Sequence, residues 1–359
     1  MKWYHPQMKP FQISGFAFYE KDHLYRRLPI DPGVELPEAV YHLADETAGG
    51  QIRFHARLKA LKLQVSLASK PLYFHRFGTP HLTDLAKYGF DCYVSVNGGD
   101  YHFVGIAVDD GVEHRRDEAG RFYEATFFDS EEEADVDILL NFPLYGAVDK
   151  VLIGLNDEAE LSAPQKKFRD GKKIVFYGGS TEQGACASRP GMCETNLLSR
   201  WLNREVYNLG FNSSGKAEAE VAQVIAQIPE VAAYVISTEG NCPDGSWLEE
   251  KLGKFLEILR QKNPVTPIVI MPFPESAAEL VNPAKRRKRL EKLAAQQKIV
   301  SERQQAGDQN ILLFLQDDCK ERTFEGISVW HESSVDGLHK TDLGYYALAK
   351  GLYQYLKAL

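Results

Sequence analysis

The first half of the chain alternates apolar and polar residues with a period of two. In the segments 52–58 and 61–67 every second residue is apolar, which places one face of a strand in a core and the other in solvent. Asn97-Gly98-Gly99 lies between two further runs and is typical of a hairpin turn, because asparagine and glycine accept positive φ angles. Short strands separated by turns, without long amphipathic helices, predict an all-β, jelly-roll-like antiparallel sandwich.

The pattern changes after the polar segment 163–171. Short continuous apolar runs, typical of strands that are buried on both faces, now alternate with segments of helical length. These runs are 174–177, 206–209, 234–237, 268–271 and 311–315. The repeated strand–helix order predicts an α/β fold with a parallel sheet, and a ligand site beyond the carboxyl ends of its strands. We therefore expect an N-terminal β-sandwich domain at residues 1–165 and an α/β domain at residues 166–359.

Composition excludes several classes of protein. The 359 residues are 44% hydrophobic and 26% charged, with a formal net charge of −8 at pH 7. This acidic balance argues against a nucleic-acid-binding protein, and the basic run 285–289 fits the solvated face of a helix within 282–305. The sequence shows neither a signal peptide nor an apolar run of about 20 residues for a membrane helix. We expect a cytoplasmic protein without a nucleic-acid or membrane partner.

Neither a metal nor a cofactor is expected. The five cysteines are scattered and include no C-x-x-C pair, which fits neither a disulfide framework nor a zinc site. The ten histidines include no H-x-x-x-H pair, and those of the first half, His81 among them, are expected to be ordinary packed or surface residues. The chain also has no phosphate loop or dinucleotide fingerprint.

Candidate chemistry begins at the end of the first strand of the second half. Gly178 and Gly179 follow this strand and allow the chain to turn sharply. Ser180 then stands at the start of a helix, where the hydroxyl meets N–H groups that the helix leaves unpaired. The same position suits a helix cap or a phosphate ligand equally well. Because Glu182 occupies the last glycine position of the G-x-S-x-G elbow, that motif is not matched.

A candidate base lies near the C-terminus. A serine hydroxyl is a weak nucleophile until a base removes its proton. Asp336 and His339 are three residues apart around a glycine, so the carboxylate can orient the imidazole. Such a pair also occurs in ordinary turns. Its combination with Ser180 at a strand end favours a nucleophilic serine.

Two further strand ends offer hydrogen-bond donors. Gly210 follows the second strand and Asn241 follows the third. We predict that the N–H groups of Ser180 and Gly210, together with the Asn241 amide, form an oxyanion hole. A single loop glycine or asparagine is more often a turn residue, and the prediction rests on their joint occurrence in order.

Together these residues resemble the SGNH (GDSL-like) hydrolases. The four sequence blocks of that family match at Ser180, at Gly210, at Asn241, and at Asp336 with His339. The resemblance covers residues from about 172 to 359. It implies a flavodoxin-like sheet of about five parallel strands and identifies Ser180, Asp336 and His339 as the catalytic residues.

A narrower resemblance extends to the first half. The runs 177–192 and 89–93 are similar to the subgroup of this family that carries an N-terminal "GxDLY" β-sandwich, with Cys92 in place of leucine. Two positions depart from the family pattern: Gly179 replaces the usual Asp or Thr before the serine, and 239–242 differs from the common context of the asparagine.

The resemblance implies a serine esterase without a cofactor. We expect it to hydrolyse short acyl esters, acetyl esters above all, of a carbohydrate or another small polar molecule through an acyl-enzyme on Ser180. An acyltransferase with the same residues is an alternative, because the acceptor depends on pocket shape and water exclusion. Acyl length and oligomeric state are not predicted.

A non-catalytic carbohydrate-binding protein is the second alternative. In that case the aromatic rings available to stack on sugars are Trp3, Tyr73, Phe77 and Tyr101. For the enzyme, predicted contacts to a small-molecule or oligosaccharide substrate are Glu182, Gln183 and Arg189.

Overall fold

The alternating segments of the first half form an antiparallel sheet in the computed structural model, which describes residues 1–68, 81–109, 115–117, 120–319 and 330–359. The strands are β1 (Lys2–Tyr4), β2 (Gln12–Ser14), β3 (Gln51–Leu67), β4 (Phe90–Ser95), β5 (His102–Ala107), β6 (Arg115–Asp117), β7 (Gly120–Asn141), β8 (Val148–Leu155) and β9 (Glu160–Ser162). The long strands β3 and β7 pair from Gln51 opposite Asn141 to Ser66 opposite Phe122. β2, β8 and β9 also pair with β3, while β4 and β6 pair with β7.

Period-two alternation is confirmed along β3. Ile52, Phe54, Ala56 and Leu58 are fully buried in a single apolar cluster. Hydrogen bonds connect the nine strands of the described residues into one sheet. The antiparallel sheet is therefore confirmed, whereas a second layer that would make it a sandwich stays a prediction.

The predicted hairpin joins β4 to β5. Asn97 and Gly98 have φ angles of 51° and 70°, and the N–H of Gly99 donates to the carbonyl of Val96 at 2.9 Å. Both central residues occupy the left-handed region that this turn requires. The asparagine–glycine pair therefore predicted the turn correctly.

The second half forms a sheet of five parallel strands. They are β10 (Lys173–Gly178), β11 (Glu205–Gly210), β12 (Val231–Ser237), β13 (Ile268–Ile270) and β14 (Ile311–Leu313). Their order across the sheet is β11-β10-β12-β13-β14, which is the flavodoxin-like order. Alternate residues of β10 enter different cores: Val175 and Tyr177 lie in one cluster, Ile174 and Phe176 in another. The parallel sheet covered on both faces is confirmed.

Helices surround this sheet and connect its strands. The helices are α1 (Tyr19–Asp22), α2 (Glu38–Leu43), α3 (Asp84–Tyr88), α4 (Ser180–Gln183), α5 (Glu194–Leu202), α6 (Ala219–Ile225), α7 (Gly245–Lys262), α8 (Pro283–Gln305) and α9 (Asp342–Leu356). Short 3-10 turns are Pro190–Met192, Glu239–Asn241, Ala277–Leu280, Gln316–Cys319 and Trp330–Ser333. None of the helices in the described ranges combines the length and apolar character that a membrane crossing requires.

The segment between β2 and β3 packs on the parallel sheet. Leu28, Val40 and Leu43 are fully buried in the same cluster as the apolar residues of β11, α6 and α7. The β-rich half and the α/β half are thus joined through a shared core. The predicted boundary between residues 165 and 166 stays a prediction.

Arg27 fixes this segment to the end of β11. Its guanidinium is fully buried and donates to the carbonyls of Leu43 (2.6 Å), Asn208 (3.4 Å) and Gly210. It also lies 4.6 Å above the ring centre of Phe211. Burial lowers the pKa of Arg27 to about 10, although Glu46 opposes the shift. The arginine stays charged and satisfies three carbonyl groups that water cannot reach.

Arg27→Met should destabilise the folded protein. Methionine fills part of the space but removes the hydrogen bonds that the guanidinium donates to these three carbonyls, so we expect the free energy of unfolding to fall by about 2–4 kcal/mol. The urea midpoint would measure this. Arg57→Met is the matched control, because that exposed side chain forms a surface ion pair with Glu133 and its loss should change stability by less than about 1 kcal/mol. Equal midpoints for the two variants would contradict the role of Arg27.

Candidate active site

The turn after β10 brings Ser180 to the carboxyl edge of the parallel sheet. β10 ends at Gly178 and α4 begins at Ser180, whose side chain is half-buried. A Cβ atom on Gly178 would collide with the Glu182 carboxylate, and one on Gly179 would collide with the Nδ2 atom of Asn241. At Gly178 the backbone carbonyl of Ser237 would collide with the added Cβ atom as well, so this position requires glycine. At Gly179 the end of the Asn241 side chain would have to move before a larger residue could fit.

Glu182 supports this turn from inside the protein. Its side chain is fully buried, and Oε2 accepts a hydrogen bond from the N–H of Gly179 at 2.9 Å. Burial raises the pKa of Glu182 to about 7. The carboxyl group has no exposed surface and holds the turn through Gly179. The prediction that Glu182 contacts a substrate stays a prediction.

Ser180, His339 and Asp336 form a continuous chain of hydrogen bonds. Ser180 Oγ lies 2.8 Å from His339 Nε2, and His339 Nδ1 lies 2.7 Å from Asp336 Oδ2. The second carboxylate oxygen, Oδ1, accepts the N–H groups of Leu338 at 2.9 Å and His339 at 2.8 Å. Gly337, with a φ angle of 83°, makes the turn between acid and imidazole. The structure thus brings together the three residues that the sequence predicted.

Hydrogen bonding keeps the Asp336 carboxylate ionised. Partial burial acts to raise its pKa, but the hydrogen bonds from the His339 ring and from two backbone N–H groups outweigh burial, so the pKa of Asp336 is lowered. A carboxylate facing Nδ1 favours the tautomer in which Nδ1 carries the proton and Nε2 is free to accept one.

Asn241 lies beside the serine turn, as predicted. It ends the 3-10 turn Glu239–Asn241, and its Nδ2 donates to the carbonyl of Ser214. Glu239 anchors this turn to α8, because its carboxylate accepts from Gln296 and its carbonyl accepts from Lys292 Nζ at 2.8 Å. A carboxamide has two N–H donors, so one remains for a ligand at Ser180.

Gly210 does not join the site in the way the sequence suggested. Its N–H donates to Asn208 Oδ1 at 3.0 Å, and its carbonyl accepts from Arg27. Gly215 lies closer to the turn: it has a φ angle of 71°, and a Cβ atom there would collide with the carbonyl of Gly178. Gly215 is the second glycine of the segment 208–215, and the sequence analysis assigned the role of donor to the first, Gly210.

Gln183 connects the two halves of the protein and does not face a substrate. The side chain is fully buried; Nε2 donates to Glu46 and to the carbonyl of Leu144 at 3.0 Å, and Oε1 accepts the N–H of Asn212 at 2.8 Å. Every polar atom of the carboxamide therefore has a protein partner. These bonds give Gln183 a structural role, and its predicted contact to a substrate stays a prediction.

Arg189 is likewise held by the first half of the chain. Nη1 donates to Asp91 Oδ2 at 2.8 Å, and the guanidinium lies 4.0 Å above the ring centre of Phe103. The same carboxylate oxygen accepts the N–H of Gly191 at 2.7 Å. Asp91, the acid of the GxDLY-like segment, is fully buried. It holds the loop that follows α4 through Arg189 and Gly191. The predicted substrate contact of Arg189 stays a prediction.

His81 and Cys186 are site neighbours that the sequence analysis missed. The rings of His81 and His339 stack with centres 5.3 Å apart and planes inclined by 28°. His81 Nε2 lies 3.7 Å from Asp336 Oδ2. Cys186 is buried in the loop after α4; burial, with a contribution from Asp336, raises the pKa of its thiol to about 12. Their distance along the sequence from His339 gave no signal of this proximity.

A small cavity of about 250 Å³ is lined by Thr181, the loop 273–278 and parts of the segment 331–340. Thr181, Gly337, Leu338 and Lys340 of this lining are next to Ser180, Asp336 and His339 in the sequence. A larger cavity of about 630 Å³ includes Lys173 and Glu205, the first residues of β10 and β11. That cavity lies at the opposite end of the strands.

Of the aromatic residues considered for sugar stacking, two can be placed. Trp3 packs against Gly154, and the hydroxyl of Tyr101 accepts from Arg53 at 3.4 Å. Tyr73 and Phe77 lie outside the described residues. The two placed side chains have protein partners, as expected for packing residues.

Comparisons with known proteins agree with this architecture. Residues 171–357 match the GDSL-like lipase/acylhydrolase family model, and residues 1–161 match the GxDLY model, the N-terminus of SGNH-hydrolase-type esterases. No curated protein matches the sequence. A solved structure from Bacteroides ovatus, described as a GDSL-like lipase, is 25% identical with a TM-score of 0.84, over 99% of this chain and 97% of the other.

Two more distant solved structures share the fold. A salicylyl-acyltransferase from a tetracycline biosynthetic pathway is 17% identical with a TM-score of 0.70, over 99% of this chain and 97% of the other. A family two carbohydrate esterase from Clostridium thermocellum is 10% identical with a TM-score of 0.57, over 87% and 92%. At such identities the likeness concerns the fold alone.

Glu182→Gln should flatten the dependence of stability on pH. Folding raises the pKa of Glu182 from 4.5 to about 7. Between these two pH values Glu182 is protonated in the folded protein and ionised in the unfolded chain. The contribution of Glu182 to the free energy of unfolding therefore falls as pH rises from about 4.5 to 7. A glutamine carries no such proton.

Thermal unfolding midpoints between about pH 5 and pH 8 would measure this slope. Glu302→Gln, on the exposed side of α8, is the control and should leave the slope unchanged. If the unfolding midpoint changes with pH equally in the Glu182 and Glu302 variants, titration of Glu182 is not the cause of the pH dependence.

Proposed function

Because the chain belongs to the GDSL-like lipase/acylhydrolase family, we propose that it is a serine ester hydrolase whose nucleophile is Ser180. The resemblance seen in the sequence is confirmed at the level of the family and of its GxDLY N-terminal region. The observation that carries the proposal is the chain of hydrogen bonds from Ser180 through His339 to Asp336.

In the proposed first step, Ser180 Oγ attacks the carbonyl carbon of the ester while His339 Nε2 takes the hydroxyl proton. Asp336 holds the Nδ1–H and balances the positive imidazolium. The tetrahedral intermediate then expels the alcohol, which receives the proton from His339 as the C–O bond breaks. An acyl group remains on Ser180.

Hydrolysis of the acyl-enzyme uses the same groups. His339 removes a proton from water as the water oxygen attacks the acyl carbon, and returns it to Ser180 when the serine oxygen leaves. The products are a carboxylic acid and the free enzyme. Water, Ser180 and His339 account for every proton and bond in this step.

Three donors are proposed for the oxyanion. The N–H of Ser180 is in the first turn of α4, where the helix provides no acceptor. The Nδ2 atom of Asn241, which carries a second N–H, lies close to Gly179, the residue before Ser180. We assign the third donor to the N–H of Gly215 in place of Gly210, since the N–H of Gly210 already donates to Asn208.

A short acyl ester of a small polar alcohol is the proposed substrate. The adjoining cavity of about 250 Å³ has little room for a long chain, and Ser276, Ser333 and Ser334 give part of its lining a polar character. An acetyl ester of a carbohydrate fits these dimensions. The fold shared with family two carbohydrate esterases is compatible with such a substrate.

Acyl transfer to an alcohol is the second candidate. The observation that favours it is the full-length likeness to a salicylyl-acyltransferase, in which both halves of this chain are matched. The two reactions share the acyl-enzyme and differ in whether water or an alcohol accepts the acyl group. Product analysis in the presence of a competing small alcohol separates them, because transfer yields a new ester.

Ser180→Ala should abolish ester hydrolysis. Purified protein would be assayed with p-nitrophenyl acetate, butyrate and octanoate, and we expect turnover of the short esters to fall roughly 1000-fold or more in the variant. Ser301→Ala, on the exposed surface of α8, is the matched control and should keep full activity. Equal rates of hydrolysis for the two variants would contradict the assignment of Ser180 as the nucleophile.

Asn241→Ala should lower kcat with little change in KM. Loss of a single oxyanion donor reduces kcat roughly 100- to 1000-fold, because the hydrogen bond is made mainly in the transition state. The double variant with Ser180→Ala should be no slower than Ser180→Ala alone, since the two residues act in one step. A large rise in KM at constant kcat would instead make Asn241 a substrate-binding residue.

A further inference from the structure

Three side chains with metal-binding atoms meet beside Ser180. One nitrogen of His81, one nitrogen of His339 and the Sγ of Cys186 all lie within 4.8 Å of one another. The three residues come from different parts of the chain: the segment before α3, the loop after α4, and the turn before α9. Tertiary structure alone assembles them, so the absence of a local sequence motif does not argue against a site.

The donor set suits a borderline cation such as Zn²⁺. Imidazole nitrogen and cysteine sulfur are its preferred ligands, with bond lengths of about 2.0 and 2.3 Å. Tetrahedral coordination at these lengths places ligand atoms roughly 3.3–3.7 Å apart. Atoms up to 4.8 Å apart exceed this spacing by about 1.1–1.5 Å, a difference that side-chain rotations of His81 and Cys186 have to close when the cation binds.

Asp336 offers a fourth ligand. Its Oδ2 lies 3.7 Å from His81 Nε2 and 2.7 Å from His339 Nδ1. His81 Nε2 is itself buried and makes no hydrogen bond within the part of the chain that the structure describes. A buried nitrogen without a hydrogen bond costs free energy, and a cation would remove this deficit.

We propose that His81, Cys186, His339 and Asp336 form a binding site for Zn²⁺, through which the cation reversibly inhibits the enzyme. A cation bound to all four residues lies on His339 Nδ1, beside Asp336 Oδ2, and takes the place of the proton that these two atoms share. The neutral imidazole then carries its proton on Nε2, which faces Ser180, so His339 can no longer accept the serine proton. The inhibitory part of this inference rests on the proposed function, whereas binding of the cation does not.

Cobalt provides a readout that is independent of catalysis. Metal-free protein titrated with Co²⁺ should bind one equivalent and develop thiolate-to-cobalt charge-transfer absorption, which Zn²⁺ then removes by competition. Cys186→Ser should lose this band. Cys242→Ser is the matched control, because that buried thiol donates to the carbonyl of Thr238 as a serine hydroxyl also can, and it should behave as wild type. Ser180→Ala should retain the band.

Inhibition is measured on the same proteins. Zn²⁺ should inhibit ester hydrolysis by the wild type, EDTA should restore it, and Cys186→Ser should raise the Zn²⁺ concentration for half-inhibition at least about tenfold. His81→Asn should weaken Co²⁺ binding.

Three results would overturn the proposal: no thiolate band with Co²⁺, equal inhibition of the wild type and Cys186→Ser, or stoichiometric binding of Zn²⁺ without loss of hydrolysis. Complete lack of hydrolysis in every protein would refute the proposed function, and the cobalt spectrum would still decide whether the site exists.

Discussion

The N–H of Gly179 donates to a carboxyl group that is wholly inside the protein, and the placement of Ser180 depends on this contact. A carboxylate is costly to bury without a cation, and burial accordingly raises the pKa of Glu182. Burial also raises the pKa of Glu194 and lowers that of Lys340, its two charged neighbours. The carbonyl of Glu182 accepts from Asn208 Nδ2 at 2.7 Å. The serine turn and the end of β11 are therefore held by one buried polar network.

The first half of the chain holds the same region from the other side. Asp91 binds the loop after α4 through Arg189 and Gly191, while Glu46 accepts from Gln183 within α4. These contacts position the residues around Ser180. The GxDLY-like region thus stabilises the turn that carries Ser180.

Sequence patterns were sufficient where chemistry is local. The hairpin at Asn97-Gly98 and the pairing of Asp336 with His339 follow from short-range rules, whereas the flavodoxin-like sheet was implied by the family resemblance. Polarity in a sequence does not reveal burial: Gln183 and Arg189 have partners in distant segments, and the substrate contacts predicted for them and for Glu182 stay predictions. The stacking of His81 on His339 depends on tertiary structure and has no counterpart in spacing.

Residues 28–43 are part of the polypeptide before the long β-strands, yet they cover the α/β core. A cut near residue 165 would remove this cover and expose an apolar surface on α6 and α7. Because the two halves share this apolar cluster, we expect them to unfold together and not as exchangeable modules. Variation between members of such a lineage should accumulate in surface loops, while the two halves are inherited together.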